Sequence, residues 1–402
     1  MMQVPKSKVS LNFLSLFICL FSIFTSTRAQ SYIKLHKKAI ICDTHNDIIS
    51  TAIEKGYNFD NDLKGLTHTD ISRLEKGGVD VQVFSVFCDG KQSNPYEFAN
   101  REIDTLDAWI ARNNRRMVKV TSPRQLKRAV RDGKIASMIG VEGGHMIEDD
   151  LTNLQNLAGR GARYMTLTWN NSNSWATSAM DETDSSDKLV HKGLTDFGKK
   201  VIATMNDLGL MVDGSHVGEQ TFWDVMETTS KPVIASHSDV YTIAPVFRNL
   251  KDDQIKAIAK NGGVIHLNFY AGFLDSNFLP KAKEFFERHK VEKDSLLKSG
   301  KDDWEANSNL YAAHADEVAE IRPPLSVLFD HIDYIVRLVG EDYVGLGSDF
   351  DGINFAPNGL DDVTSYPLIT KGLLERGYSK KAIKKILGRN FIRVFKANAV
   401  EK

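Results

Sequence analysis

Apolar positions along this chain follow two patterns that take turns. Short runs rich in Val, Ile and Phe occupy residues 39–47, 79–87, 135–143, 162–169, 210–216, 233–238, 263–269 and 343–349. Several lack strict alternation, as strands covered on both faces do. Between them, apolar residues recur every three or four positions, for example over 194–208, 252–260 and 325–339, which predicts helices. Strand candidates separated by helices predict an α/β fold, a (β/α)8 TIM-type barrel, with a doubly wound open sheet as the rival. No Gly-x-Gly-x-x-Gly follows the first run, which weakens the nucleotide-binding form of that rival.

No low-complexity linker divides residues 30–402, so they read as a single domain. An insertion at about 271–324 follows the seventh run. It carries a charged helical piece near 280–298, a polar loop, and the stiff Pro323-Pro324 pair. On the active face of a barrel such an excursion serves as a lid or a homodimer surface, or is a variable surface segment.

The polar residues that end the strand candidates carry the chemistry. The first run ends in His45 and Asp47, which a strand places on one face, and the third in Glu142-Gly143-Gly144-His145. The fifth ends in Asp213-Gly214-Ser215-His216, the sixth in Ser236-His237-Ser238, and the eighth in Gly347-Ser348-Asp349-Phe350-Asp351-Gly352. The C-terminal ends of barrel strands share one mouth, so these residues predict a metal site there. Imidazoles and carboxylates suit zinc, and a pair of divalent ions needs a carboxylate shared between them to activate one water. Glu142 is the candidate for sharing, with His45 and Asp47 on one ion and His216 and His237 on the other. Asp349 is the candidate proton acceptor. His145 is either a partner of Glu142 or structural, and His266 reads as a core residue. His68, His191, His314 and His331 read as structural, and Asn170-Asn171-Ser172-Asn173 as mouth lining or plain loop. Arg248 could hold a substrate carboxylate through its planar fork, or form a surface ion pair.

Composition changes this picture little. A 42% hydrophobic and 26% charged chain of 402 residues suits a globular enzyme with a sizeable core. A net charge of -1 gives no electrostatic case for nucleic acid or an anionic membrane surface. The N-terminus adds a compartment. Lys6 and Lys8, an apolar stretch over 11–24 and Thr27-Arg28-Ala29 predict a secretory signal peptide at 1–29, and hence a secreted or periplasmic protein without a stable membrane anchor. Cys42 and Cys88 then remain, and read as buried thiols.

At these residues the chain resembles the membrane (renal) dipeptidase family of binuclear zinc peptidases. Asp43-Thr44-His45-Asn46-Asp47, Glu142-Gly143-Gly144-His145, Arg163-Tyr164-Met165-Thr166-Leu167-Thr168, Asp213-Gly214-Ser215-His216, Ser236-His237-Ser238, Arg248-Asn249 and Gly347-Ser348-Asp349-Phe350-Asp351-Gly352 carry the likeness from first strand to last. The resemblance implies a (β/α)8 barrel and two Zn2+ per chain, held by His45, Asp47, Glu142, His216 and His237. It also implies proton transfer by Asp349 and a substrate carboxylate on Arg248. The implied substrates are dipeptides, including those with a C-terminal D-residue. One position departs from the pattern: the family places a histidine after Thr168, and this chain has Trp169. An indole donates a hydrogen bond but carries no charge, so Trp169 is a substrate-binding candidate that shifts substrate choice. The rival readings are another amide hydrolase, such as an N-acyl amino acid deacylase, and a non-catalytic dipeptide- or zinc-binding relative.

Overall fold

The computed structural model describes residues 32–301 and 303–400; the signal-peptide prediction falls outside them. Nine parallel strands form: β1 (Cys42–Asp43), β2 (Val81–Phe87), β3 (Met117–Lys119), β4 (Ile135–Glu142), β5 (Ala162–Thr166), β6 (Met211–Asp213), β7 (Ile234–Ala235), β8 (Val264–Leu267) and β9 (Val344–Leu346). Eight follow one another around the sheet in the order β1-β2-β4-β5-β6-β7-β8-β9. β9 returns to β1 through Thr44 N–H to Leu346 O (3.2 Å), Asp349 N–H to His45 O (3.1 Å) and Asp47 N–H to Phe350 O (2.9 Å). The result is the (β/α)8 barrel. β3 borders Ile135–Ser137 of β4, ahead of the stretch where β5 takes over. Its three residues are too few to show a period in sequence.

The predicted helices form as Asp196–Leu208, Asp252–Asn261 and Ser326–Val339. The first starts where the Thr195 side chain accepts from Gly198 N–H, and stops at left-handed Gly209. Its Val201, Ile202 and Met205 are buried, at about 1.5–3 kcal/mol each. A second apolar cluster joins Val81, Val83, Ala136, Met138, Tyr164 and Val264 to Phe391 and Phe395 of the helix Asn390–Asn398, plugging the barrel near the strand beginnings.

The insertion departs from expectation. Its polar loop is helical over Asp303–Ala313 and Ala315–Ile321, following Phe278–Arg288 and Lys290–Lys298. Only a few apolar residues hold it, with Leu310, Val318 and Ile321 packing on Phe278, Phe285 and Phe355. Such sparse anchoring between charged residues reads as loop in sequence. Lys55 Nζ lies 3.6 Å from Glu305 Oε1, tying the insertion to the barrel mouth. Cys42 and Cys88 are buried free thiols. No helix among the described residues is long and apolar enough to cross a membrane.

Candidate active site

Strand periodicity delivers the first carboxylate. Ala136, Met138, Gly140 and Glu142 share one face of β4, and Ala136 and Met138 pack in the interior cluster, so Glu142 is the last of that row. Gly140 leaves room for the Tyr164 ring of β5, since a Cβ there would lie 2.0 Å from Tyr164 Cζ. His45 and Asp47 arrive differently from the expectation. Both lie beyond the ladder of β1, and Asp47 stands at the N-cap of the helix Ile48–Lys55, so a shared strand face is not what joins them. The chain leaves the ladder early at several strand ends to fill the mouth, and His216 and Asp349 do so at φ of 65° and 62°. The Asp47 side chain makes no capping bond. Gly352 keeps the space clear, because a Cβ there would come within 2.3 Å of Asp47 Oδ2.

The structure brings His45, Asp47, Glu142, His216, His237 and Asp349 together. His45 Nε2 is 3.2 Å from Glu142 Oε2, 3.5 Å from Asp47 Oδ2 and 4.0 Å from Asp349 Oδ1. On the other side of the same carboxylate, Glu142 Oε1 lies 2.9 Å from His216 Nε2 and 3.4 Å from His237 Nε2. One oxygen of Glu142 therefore faces His45, and the other faces His216 and His237.

Bonds behind the imidazoles set their tautomers. Tyr164 Oη donates to Thr44 O (3.0 Å), so it accepts the Nδ1 hydrogen of His45 (2.8 Å). The His216 Nδ1 hydrogen goes to Asn170 Oδ1 (3.1 Å). Ser236 Oγ donates to Asp213 Oδ2 (2.5 Å) and accepts from His237 Nδ1 (2.7 Å). With each Nδ1 hydrogen so committed, the neutral form of each ring carries its lone pair on Nε2, on the side of Glu142, the arrangement that metal-binding histidines adopt. His45 Nε2 and Asp47 Oδ1 are buried without a hydrogen-bond partner among the described residues. Bare donor atoms of this kind fit a divalent cation.

Charge follows the same arrangement. Burial alone would raise the Glu142 carboxyl, but without an ion the charge of His45, itself raised against burial well above the ordinary imidazole value by the surrounding Tyr164, Glu142 and Asp47, holds it well below the usual range. Burial, then the Arg248 charge, lowers His216 to about 4, and burial, then the His45 charge, pushes His237 well down. Both are thereby kept as neutral, ligand-type imidazoles. Burial and the neighbouring Asp47 charge raise the Asp349 carboxyl well above its ordinary value. Asn268 Nδ2 donates to Asp349 Oδ2 at 2.7 Å.

A cavity of about 450 Å³ opens over the cluster, with Arg248, Trp169, Asn170, Tyr270 and Phe273 in its walls. Arg248 is 4% exposed and donates to His237 O (3.2 Å) and Ser238 Oγ (3.4 Å), its guanidinium 5.4 Å from the Phe273 ring centroid. Among the described residues no carboxylate lies within 4.0 Å of it, so the surface ion-pair alternative falls. Trp169 leans on Phe87, ring centroids 5.1 Å apart. Asn170 proves to orient His216 as well as line the mouth. His145 bonds the backbone oxygen of Cys88 (3.2 Å) rather than Glu142. His266 and His331 lie in the core. Sequence reasoning missed Tyr164, Asp213, Ser236, Asn268 and Tyr270 as contributors.

A barrel whose mouth gathers three outward-facing imidazole lone pairs around a shared carboxylate is built as a metal-dependent hydrolase. The chain belongs to the membrane dipeptidase family, peptidase family M19, whose model matches residues 29–402, and it is a metallo-dipeptidase. It is 33% identical over 389 residues to an uncharacterized dipeptidase of Schizosaccharomyces pombe, covering 91% of this chain and 82% of that one. Among solved structures, the probable dipeptidase PvdM from Pseudomonas aeruginosa superposes with a TM-score of 0.75 at 24% identity, covering 93% of this chain and 98% of that one. A metallo peptidase from Rhodobacter sphaeroides, liganded with a phosphinate mimic of the dipeptide L-Ala-D-Ala, gives 0.73 at 22% identity, covering 90% of this chain and 100% of that one. These two show the shared fold.

Proposed function

We propose that the protein is a dizinc dipeptidase acting on dipeptides with a free C-terminal carboxylate, including those ending in a D-residue. The observation that carries this reading is Arg248, a buried cation with no carboxylate within 4.0 Å among the described residues, in the wall of the cavity over the imidazole cluster. His45 and Asp47 would hold one ion, His216 and His237 the other, and Glu142 both, since one of its oxygens faces His45 and the other faces His216 and His237. Such ions, when bound, polarise the scissile carbonyl and make water acidic enough to attack at neutral pH.

The chain's own groups do the rest. Arg248 fixes the substrate carboxylate, which places the scissile bond over the cluster, and Tyr270 closes that side of the cavity. Asp349, held by Asn268, takes the proton of the attacking water and returns it to the leaving amine. Export of the mature chain after removal of residues 1–29 completes the reading; N-terminal sequencing of the protein recovered outside the cytoplasm tests that part.

The test of function compares a dipeptide, its C-terminal amide and the matching N-acetyl amino acid, all with zinc-loaded protein. The dipeptide should be favoured over the amide by the worth of a charge-assisted pair, about 1.5–3 kcal/mol or roughly tenfold to more than a hundredfold in kcat/KM. Arg248→Ala should erase that preference. Equal rates on acid and amide would overturn the role of Arg248, and faster turnover of the N-acetyl amino acid would make the protein a deacylase.

A further inference from the structure

The insertion holds a second gathering of ligand-type side chains, remote in sequence from the residues above. His289 precedes the helix Lys290–Lys298 and Glu292 lies in its first turn. His314 follows Asp303–Ala313, and Glu317 lies in the first turn of Ala315–Ile321. Each histidine thus leads a glutamate by three positions, on two helices that face each other.

The two pairs are crossed. His289 Nε2 is 2.8 Å from Glu317 Oε2, and His314 Nε2 is 2.8 Å from Glu292 Oε2. The imidazole rings stack with centroids 3.7 Å apart, and Phe285 packs against both, at 4.6 and 6.1 Å. Donor atoms of His289, Glu292 and His314 all lie within 4.8 Å of one another. Glu317 also receives Arg288 through Nε (2.9 Å) and Nη2, and Lys293 is drawn away to Asp303 at 2.9 Å. The histidines are half-buried and Glu292 is exposed, so an ion can enter without unfolding the insertion.

Stacked rings at this distance cannot both be charged without strong repulsion. Two neutral imidazoles beside two carboxylates, one of them shared with an arginine, form a site of excess negative charge with nitrogen and oxygen donors. Zinc and its first-row neighbours take that donor set.

We propose that His289, Glu292 and His314 form a second divalent transition-metal site, beside Glu317, that clips the two helical pairs of the insertion together. The ion replaces the proton each histidine shares with the opposite glutamate. Its occupancy is independent of catalysis, because none of these residues lines the cavity over the active site.

The experiment uses the full chain and the double variant His289→Gln/His314→Gln, equilibrated by dialysis against the same free Zn2+. Wild type should hold one more equivalent than the variant, and hydrolysis should be the same in both. Co2+ in place of zinc should give a visible absorption component that the variant lacks. Equal zinc content and equal cobalt spectra would overturn the proposal. Should the variant fail to fold, wild type is treated with diethylpyrocarbonate and mapped by mass spectrometry with and without Zn2+. Protection of His289 and His314 by zinc supports the site, and equal modification in both conditions overturns it.

Discussion

His216 Nε2 and His237 Nε2 face each other at 2.9 Å, with their Nδ1 hydrogens already given to Asn170 and Ser236. Two lone pairs at that separation repel unless a cation or a proton lies between them, so the geometry is poised for an ion. Ser236→Ala removes the bond that orients His237, and should weaken zinc binding by about 10–100-fold, with Ser236→Thr restoring much of it. Zinc content after dialysis at fixed free metal measures this. An unchanged affinity in the alanine variant would mean that the Asp213–Ser236–His237 chain orients nothing that matters.

Asp349→Asn keeps the shape of the side chain but not its basicity. It should retain zinc and lower kcat by about 10²–10⁴ while KM moves little. Turnover kinetics beside metal analysis separate the roles. A variant that has lost its zinc would make Asp349 a ligand, and unchanged turnover would remove it from the chemistry.

Trp169 places an apolar wall against Phe87 at the position where the resemblance read from the sequence implies a histidine. The enzyme should work on a shifted and narrower set of dipeptides, and Trp169→His should broaden that set or raise kcat on ordinary ones. Losing one donor to a developing oxyanion typically costs about 10²–10³, which bounds the gain available. The measurement is kcat/KM for both proteins over L,L and L,D dipeptides at matched metal content. Coincident profiles would show that Trp169 only supports the wall.

Acid should act through a buried histidine outside the imidazole cluster. His331 accepts from Val240 N–H at Nδ1 (3.1 Å) and donates from Nε2 to Leu274 O (3.0 Å), so the fold needs it neutral. Burial pushes it down to about 4, against an ordinary value near 6.5. Between those limits the unfolded chain binds a proton that the folded chain refuses. Stability therefore falls as pH drops through that window, by about 1.4 kcal/mol per pH unit for this group. His331→Asn should be less stable than wild type at pH 7 yet lose less on acidification, as urea midpoints across the window will read. Parallel slopes for the two proteins would sink the idea.

The strand ends were legible because parallel barrel strands are continuous apolar runs that stop abruptly in polar residues. Glu142 follows directly from that pattern. His45 and Asp47 were found for a reason the fold does not use, since their two-residue spacing bends around a helix start instead of lying along a strand. What stayed hidden is the layer behind the imidazoles. Tyr164 reaches His45 across 119 positions and Asn268 reaches Asp349 across 81, and neither pairing has a local signature. The charged helical piece near 280–298 was legible, but Asp303–Ala313 and Ala315–Ile321 were missed for want of apolar residues, and with them the alignment of His289 with His314.

The bond from Asp349 N–H to His45 O belongs to the seam between β9 and β1. Its partners come from the two ends of the barrel in sequence, and the neighbouring Ser348–Asp43 bond spans 305 positions. During synthesis, then, the first strand must wait for nearly the whole chain before His45 meets Asp349. On the proposed mechanism, a nascent fragment lacking the last strand also lacks its proton acceptor.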